Sequence, residues 1–156
     1  MKKYVFLLLL FPILNVFAQN SDDLIQMLKS DIQTDKIAII TQTMNFTDEQ
    51  SEIFWPIYSD FSNELSKLAD KRIANIKSFA ANYDSLTADK ANELMENSFE
   101  YQKDRLNLNE EYYGTFAEAL GPIVAAKYMQ LEHLIQLIID VQVSASLPFA
   151  KSMDEN

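Results

Sequence analysis

Glycine is almost absent from this chain, and Gly114 and Gly121 are the only two in 156 residues. Tight β-turns and phosphate-binding loops use glycine wherever the backbone needs a positive φ angle. Hairpin-rich sheets and phosphate loops are therefore disfavoured as the main architecture. Proline is also rare, with four residues. The chain is expected to consist of helices that are joined by few, short breaks.

The clearest helical pattern begins at Thr47. Thr47 and Gln50 match a capping box, in which each side chain bonds the backbone N–H of the other residue. Apolar residues then recur at an average of roughly 3.6 positions, the α-helical period. They are Phe54, Ile57, Phe61, Leu65, Leu68, Ile76, Phe79 and Tyr83, with Arg72 in the one gap. This pattern predicts a long amphipathic helix, and Pro56 is expected to kink it.

Three further helices are predicted from similar signals. One runs from Asp22 to about Met44. A second long helix starts after a Thr87 cap and ends at Gly121, and its predicted inner side is Ala91, Leu94, Met95, Leu106, Tyr113, Phe116 and Leu120. The last helix runs from Pro122 to about Val143. The fold class is therefore all-α, an elongated bundle of about four helices with two long amphipathic helices.

The last predicted helix is apolar on more than one face. Its apolar residues are Leu131, Leu134, Ile135, Leu137, Ile138, Ile139, Val141 and Val143. Such a helix lies either in the centre of a bundle or at a contact with a second subunit.

The N-terminus predicts export. Lys2 and Lys3 precede an apolar run, and small residues before Gln19 fit a signal-peptidase site, so residues 1–18 are expected to be a cleaved signal peptide. The alternative is a membrane anchor, but the run is shorter than the ~20 apolar residues that span a bilayer. We expect a periplasmic location, with secretion as the second choice. Residues 19–144 then form a single helical domain, and residues 145–156 form a C-terminal tail.

The net charge limits the partners. The whole chain carries −10, and loss of Lys2 and Lys3 with the signal peptide takes the mature chain to −12. Such a charge repels nucleic acid and anionic lipid headgroups. Neither nucleic acid nor stable membrane insertion is expected for the mature protein.

The residue types needed for catalysis or for a metal site are scarce. The chain has no cysteine and a single histidine, His133. Zinc and copper sites usually combine several histidine or cysteine ligands, so a half-exposed helical residue is the better interpretation of His133. Acidic pairs such as Glu110 and Glu111 fit solvated helix faces. We expect no enzymatic activity, no metal site and no cofactor.

The aromatic run around Pro56 has two interpretations. Phe54, Trp55 and Tyr58 either pack in the core or form a partly exposed patch that binds apolar clients or a partner subunit. Together with Ile138 and Ile139 of the last helix, these three residues are the candidate client-binding or partner-binding residues.

Several of these segments resemble one family. Residues 46–50 (FTDEQ) resemble the LTxxQ motif of Spy/CpxP-like periplasmic proteins, and residues 54–58 (FWPIY) look like the FWPxY run of one branch. Residues 86–90 (LTADK) resemble a degenerate second copy, and residues 127–132 are similar to the last helix of the family. The resemblance covers roughly residues 45–143.

The resemblance implies a bent four-helix protomer that pairs into a cradle-shaped antiparallel homodimer. It also implies an ATP-independent periplasmic chaperone that binds unfolded or envelope proteins. The alternatives that it implies are a regulatory partner of an envelope-stress sensor and, less favoured, a metal-responsive protein. A purely structural oligomer is also compatible with the sequence.

Overall fold

The computed structural model describes residues 31–150 of the chain, with side chains from residue 36 onward. It contains helix α1 (Asp31–Met44), helix α2 (Asp48–Asn82), helix α3 (Ala88–Leu120) and helix α4 (Pro122–Ser146). A short 3-10 turn at Tyr83–Ser85 lies between α2 and α3. Residues 31–150 contain no strand, so the predicted all-α fold of four helices is confirmed.

Some predictions concern other parts of the chain. The signal peptide at residues 1–18, the predicted helix start at Asp22 and residues 151–156 lie outside the described residues. Helix α2 continues through Pro56 without a break, and the predicted kink of its axis stays a prediction. Helix α4 extends through Ser146, three residues past its predicted end and into the predicted tail.

Both long helices start at the predicted threonine caps. At α2, the Gln50 backbone N–H donates to Thr47 Oγ1 at 3.2 Å, and the Thr47 N–H donates to Gln50 Oε1 at 3.1 Å. At α3, the Lys90 backbone N–H donates to Thr87 Oγ1 at 3.2 Å. The caps satisfy backbone donors that have no partner inside the first turn of a helix. The predicted roles of Thr47, Gln50 and Thr87 as caps are therefore confirmed.

Two residues with positive φ angles reverse the chain direction. Asn45 ends α1 with φ 49° and donates its N–H to the carbonyl of Thr41 at 3.3 Å. Gly121 separates α3 from α4 with φ 86°, a conformation that strongly favours glycine. Pro122 then opens α4 at a position where its missing N–H is not needed.

The three longer helices pack in chain order, and the first helix packs against the last. Helix α2 lies along α3, α3 lies along α4, and α1 packs against α4. Helices α2 and α4 contact each other through long side chains. The rings of Phe54 and Tyr128 pack edge to face, and Arg72 forms an ion pair with Asp140.

Aromatic rings form the core where the four helices meet. Phe54 of α2 and Phe116 of α3 stack at 5.2 Å, and Tyr128 of α4 lies 4.9 Å and 4.8 Å from these two rings. All three rings are fully buried. Phe61 and Ile40 are equally buried and extend this core along α2 and onto α1. Aromatic pairs at such distances stabilise a core beyond the area that they bury.

The predicted inner side of α3 is partly wrong. Leu94 and Phe116 are buried as predicted, but Met95, Leu106 and Tyr113 are exposed. Leu120 also packs against the core as predicted, and further core contacts come from Leu108, Tyr112 and Ala117, which were not predicted. Each exposed residue follows an inward residue by one position, and one of those inward residues is Arg105. A hydrophobic pattern does not reveal that an arginine faces inward. The predicted inner side therefore includes Met95, Leu106 and Tyr113, which lie one position too far along the helix.

The α2 capping box yields a prediction about stability. Thr47→Ala removes both the Oγ1 acceptor for Gln50 and the geometry that holds the Gln50 side chain. We expect a loss of about 1 kcal/mol in the free energy of unfolding, as for other threonine caps. Urea unfolding followed by circular dichroism measures it. Thr43→Ala, at an exposed site on α1, is the matched control, and an equal loss in both variants would contradict this role of the cap.

Candidate functional site

The structure separates the five predicted binding residues. Phe54 and Tyr58 are buried in the aromatic core, where their rings stack at 5.7 Å. Trp55 is half-buried and packs edge-on against both rings, at 5.1 Å and 5.5 Å. For Phe54 and Tyr58 the structure shows the core-packing alternative, and Trp55 alone of the three keeps an accessible surface.

Ile138 and Ile139 point in different directions from α4. Ile139 is half-buried and packs against Ile76 and Val143 in a small second core. Ile138 is 53% exposed and lies on the opposite side of the helix. These two neighbours therefore mark the inner and outer sides of α4.

The outer side of α4 carries an exposed apolar surface. Four residues, each 47–67% exposed, define what we call the outer face: Leu134, Leu137, Ile138 and Val141. Their spacing of three, one and three residues places them on one side of a helix. The sequence is compatible with this helix lying either in the centre of the bundle or at a contact with a second subunit. The centre of the bundle formed by one chain is ruled out, because this side of the helix is exposed.

The outer face is also poor in charge, although the chain is acidic. The 25 residues of α4 include two carboxylates, Glu132 and Asp140. Glu132 is buried, and Asp140 is half-buried and paired with Arg72 at 2.5 Å. Exposed apolar surface without charge is typical of the centre of a protein–protein contact. This face is the strongest candidate binding surface of the described residues.

On the inner side, Glu132 joins three helices through a buried charge cluster. Its carboxylate is 1% exposed and accepts from Lys36 Nζ of α1, which lies 2.8 Å from Oε1 and 2.7 Å from Oε2. The Tyr128 hydroxyl donates to Oε2 at 3.3 Å, and Arg105 of α3 lies 3.5 Å from Oε1. A buried carboxylate is tolerated only with such partners. The sequence does not predict this cluster, because its members lie far apart in the chain.

Burial and the Glu132 charge also act on the neighbouring tyrosines. Burial raises the pKa of Tyr128 far above its usual value, and the charge of Glu132 raises it further. Burial and the same carboxylate raise the pKa of Tyr58. Both hydroxyls therefore stay neutral at physiological pH and act as structural groups.

A second ion pair lies about two turns further along α4. Asp140 accepts from Arg72 of α2 and from Gln136 Nε2 at 2.7 Å. The Arg72 guanidinium also lies 5.5 Å over the ring of Tyr101. Arg72, which filled the gap in the predicted α2 stripe, thus faces inward as a charged link between α2 and α4.

The described residues provide no grouping of three or more histidine or acidic side chains that would hold a metal ion. His133 is exposed on α4, beside the buried Glu132. Among the described helices, none is long and apolar enough to cross a membrane.

Comparison with known proteins adds no relative: no family model, curated protein or solved structure matches the chain. The resemblance to Spy/CpxP-like proteins thus stays a prediction from the sequence motifs.

The Glu132 cluster yields a second prediction. Glu132→Gln leaves Lys36 and Arg105 without their buried counter-charge, so the free energy of unfolding should fall by about 3 kcal/mol. Urea unfolding measures the change. Glu64→Gln is the control, because it breaks the exposed Lys67–Glu64 pair and should cost less than about 0.5 kcal/mol. Similar small losses in both variants would show that Glu132 does not hold the helices together.

Proposed function

We propose that this chain is an exported, non-enzymatic binding protein that holds apolar segments of unfolded or envelope proteins, as an ATP-independent periplasmic chaperone does. The observation that carries the proposal is the outer face of α4, an exposed row of four large apolar residues. Export rests on the signal-peptide pattern of residues 1–18. The family resemblance supports the same function.

The apolar side chains of the outer face can bind clients that have no fixed structure. Leucine, isoleucine and valine bind apolar side chains through burial alone, which is non-directional and roughly proportional to the area removed from water. No carboxylate of α4 lies free on this side to select a basic partner. A site of this kind favours apolar client segments in general over one sequence.

The surrounding charge supports reversible holding. The mature chain is expected to carry −12, and such a net charge keeps a protein soluble. A complex of the protein with a bound client would thus stay in solution while the apolar segment of the client is covered.

The proposal predicts how variants of the outer face behave. Leu137→Gln with Val141→Gln removes two of its four apolar side chains without touching the core. We expect the protein to suppress aggregation of an unfolded model substrate, and the double variant to lose most of that suppression. Light scattering at several-fold excess of the protein measures both.

The control for this experiment is Leu106→Gln, because Leu106 is an exposed leucine of a different helix, α3. The control should suppress aggregation as well as the unchanged protein does. No suppression by the unchanged protein, or an equal loss in control and double variant, would contradict the proposal. Capture of one stoichiometric partner from envelope extracts, in place of many clients, would favour the regulatory alternative.

We further propose that the protein is a homodimer. The support for the dimer is the family resemblance of residues 45–143, which implies a paired protomer. Light scattering coupled to size-exclusion chromatography should give about twice the mass of the mature chain. A monomer at micromolar concentration would contradict the dimer. The double variant should also be a dimer, because the outer face is proposed to bind clients, and a monomeric double variant would contradict that role of the outer face.

A further inference from the structure

A polar cavity of about 320 Å³ opens beside the Glu132 cluster, between α2, α3 and α4. Five charged residues line it: Lys36, Asp70, Arg72, Arg105 and Glu132. Cavities of roughly 300–1,000 Å³ hold small-molecule ligands in proteins. Neither the aromatic core nor the outer face of α4 uses this space.

Arg105 is one of two arginines in the cavity wall that have unused hydrogen-bonding capacity. Its side chain is 16% exposed, and within residues 36–150 it makes one hydrogen bond, to the Tyr101 hydroxyl at 3.4 Å. Glu132 lies 3.5 Å away, but its two oxygens already accept from Lys36 and Tyr128. A guanidinium carries five N–H donors in a fixed fork that fits a carboxylate. Arg105 is therefore a sheltered cation with donors free for an anion.

An apolar groove of about 630 Å³ continues from this cavity. Arg72 and Tyr101 line both spaces. The groove runs towards the far ends of α2 and α4, and its apolar wall is formed by Ile76, Phe79, Leu94, Met95, Val143 and Leu147. A polar cavity with a free arginine thus adjoins a long apolar groove.

We propose that these two spaces form a binding site for a single-chain monocarboxylate amphiphile, such as a medium-chain fatty acid. The carboxylate pairs with Arg105 in the polar cavity, and the hydrocarbon chain lies along the apolar groove past Tyr101. This site is separate from the outer face of α4, and the proposal does not rest on chaperone activity.

The charges around Arg105 select the headgroup. A cationic headgroup is repelled by Arg105, Lys36 and Arg72. A doubly charged phosphate meets Glu132 and Asp70 in the same wall, so the second negative charge is unfavourable. A single carboxylate places one negative charge against the free donors of the Arg105 guanidinium.

Isothermal titration calorimetry of the purified, delipidated protein with dodecanoate, below its micelle concentration, tests the site. We expect saturable binding of one dodecanoate per chain, and no saturable binding of dodecyltrimethylammonium. Arg105→Gln should weaken dodecanoate binding at least tenfold. Lys67→Gln, which removes an exposed lysine of α2, should leave it unchanged.

A second variant tests the groove. Met95→Gln changes an exposed residue of the groove wall, so folding is preserved. It should weaken dodecanoate binding more than hexanoate binding, because the longer chain reaches further along the groove. Equal binding of the cationic amphiphile, equal affinities of the Arg105→Gln and Lys67→Gln variants, or no binding at all would overturn the proposal.

Discussion

The orientation of α4 depends on one buried carboxylate. Glu132 is 1% exposed and is bonded by Lys36 and Tyr128, with Arg105 beside it, so this side of α4 must face the interior. Successive residues of a helix turn by about 100°, and fixing Glu132 therefore fixes every other side chain of α4. Ile135, Ile139 and Val143 follow it inward, and the four residues of the outer face are forced towards solvent. The exposed apolar surface is thus a consequence of the buried charge.

The aromatic core and the charged residues stabilise the packing of the helices at different places along α4. Near the start of α4, Tyr128 fills the space between α2 and α3 with a ring that contacts Phe54 and Phe116. Further along, α2 and α4 are linked by the Arg72–Asp140 pair and by the small second core of Ile76, Ile139 and Val143. Ion-paired side chains fill space less completely than rings do. This explains why the cavity and the groove lie beside the charged links and not beside the aromatic core.

Much of the fold could be predicted from the sequence, because it depends on local signals. The threonine caps, the scarcity of glycine and the period of the α2 stripe act over a few residues, and they gave the helices and their order. The inner side of α3 could not be predicted in full, because Arg105 faces inward through contacts with Tyr101 and Glu132, which belong to different turns and different helices. The candidate site could also be predicted only in part. Ile138 was identified by hydrophobicity, whereas the burial of Phe54 and Tyr58 and the whole Glu132 cluster depend on tertiary packing.

The central claim is that the outer face of α4 binds apolar segments of other proteins, and site-specific photo-crosslinking tests it most directly. A photoreactive residue at Leu137 should crosslink to an unfolded model client, whereas the same residue at Leu106, a more exposed leucine of α3, should crosslink weakly. Strong crosslinking at position 106 with none at position 137 would contradict the account. Equal yields at both positions would also contradict it, because binding would then be spread over the surface.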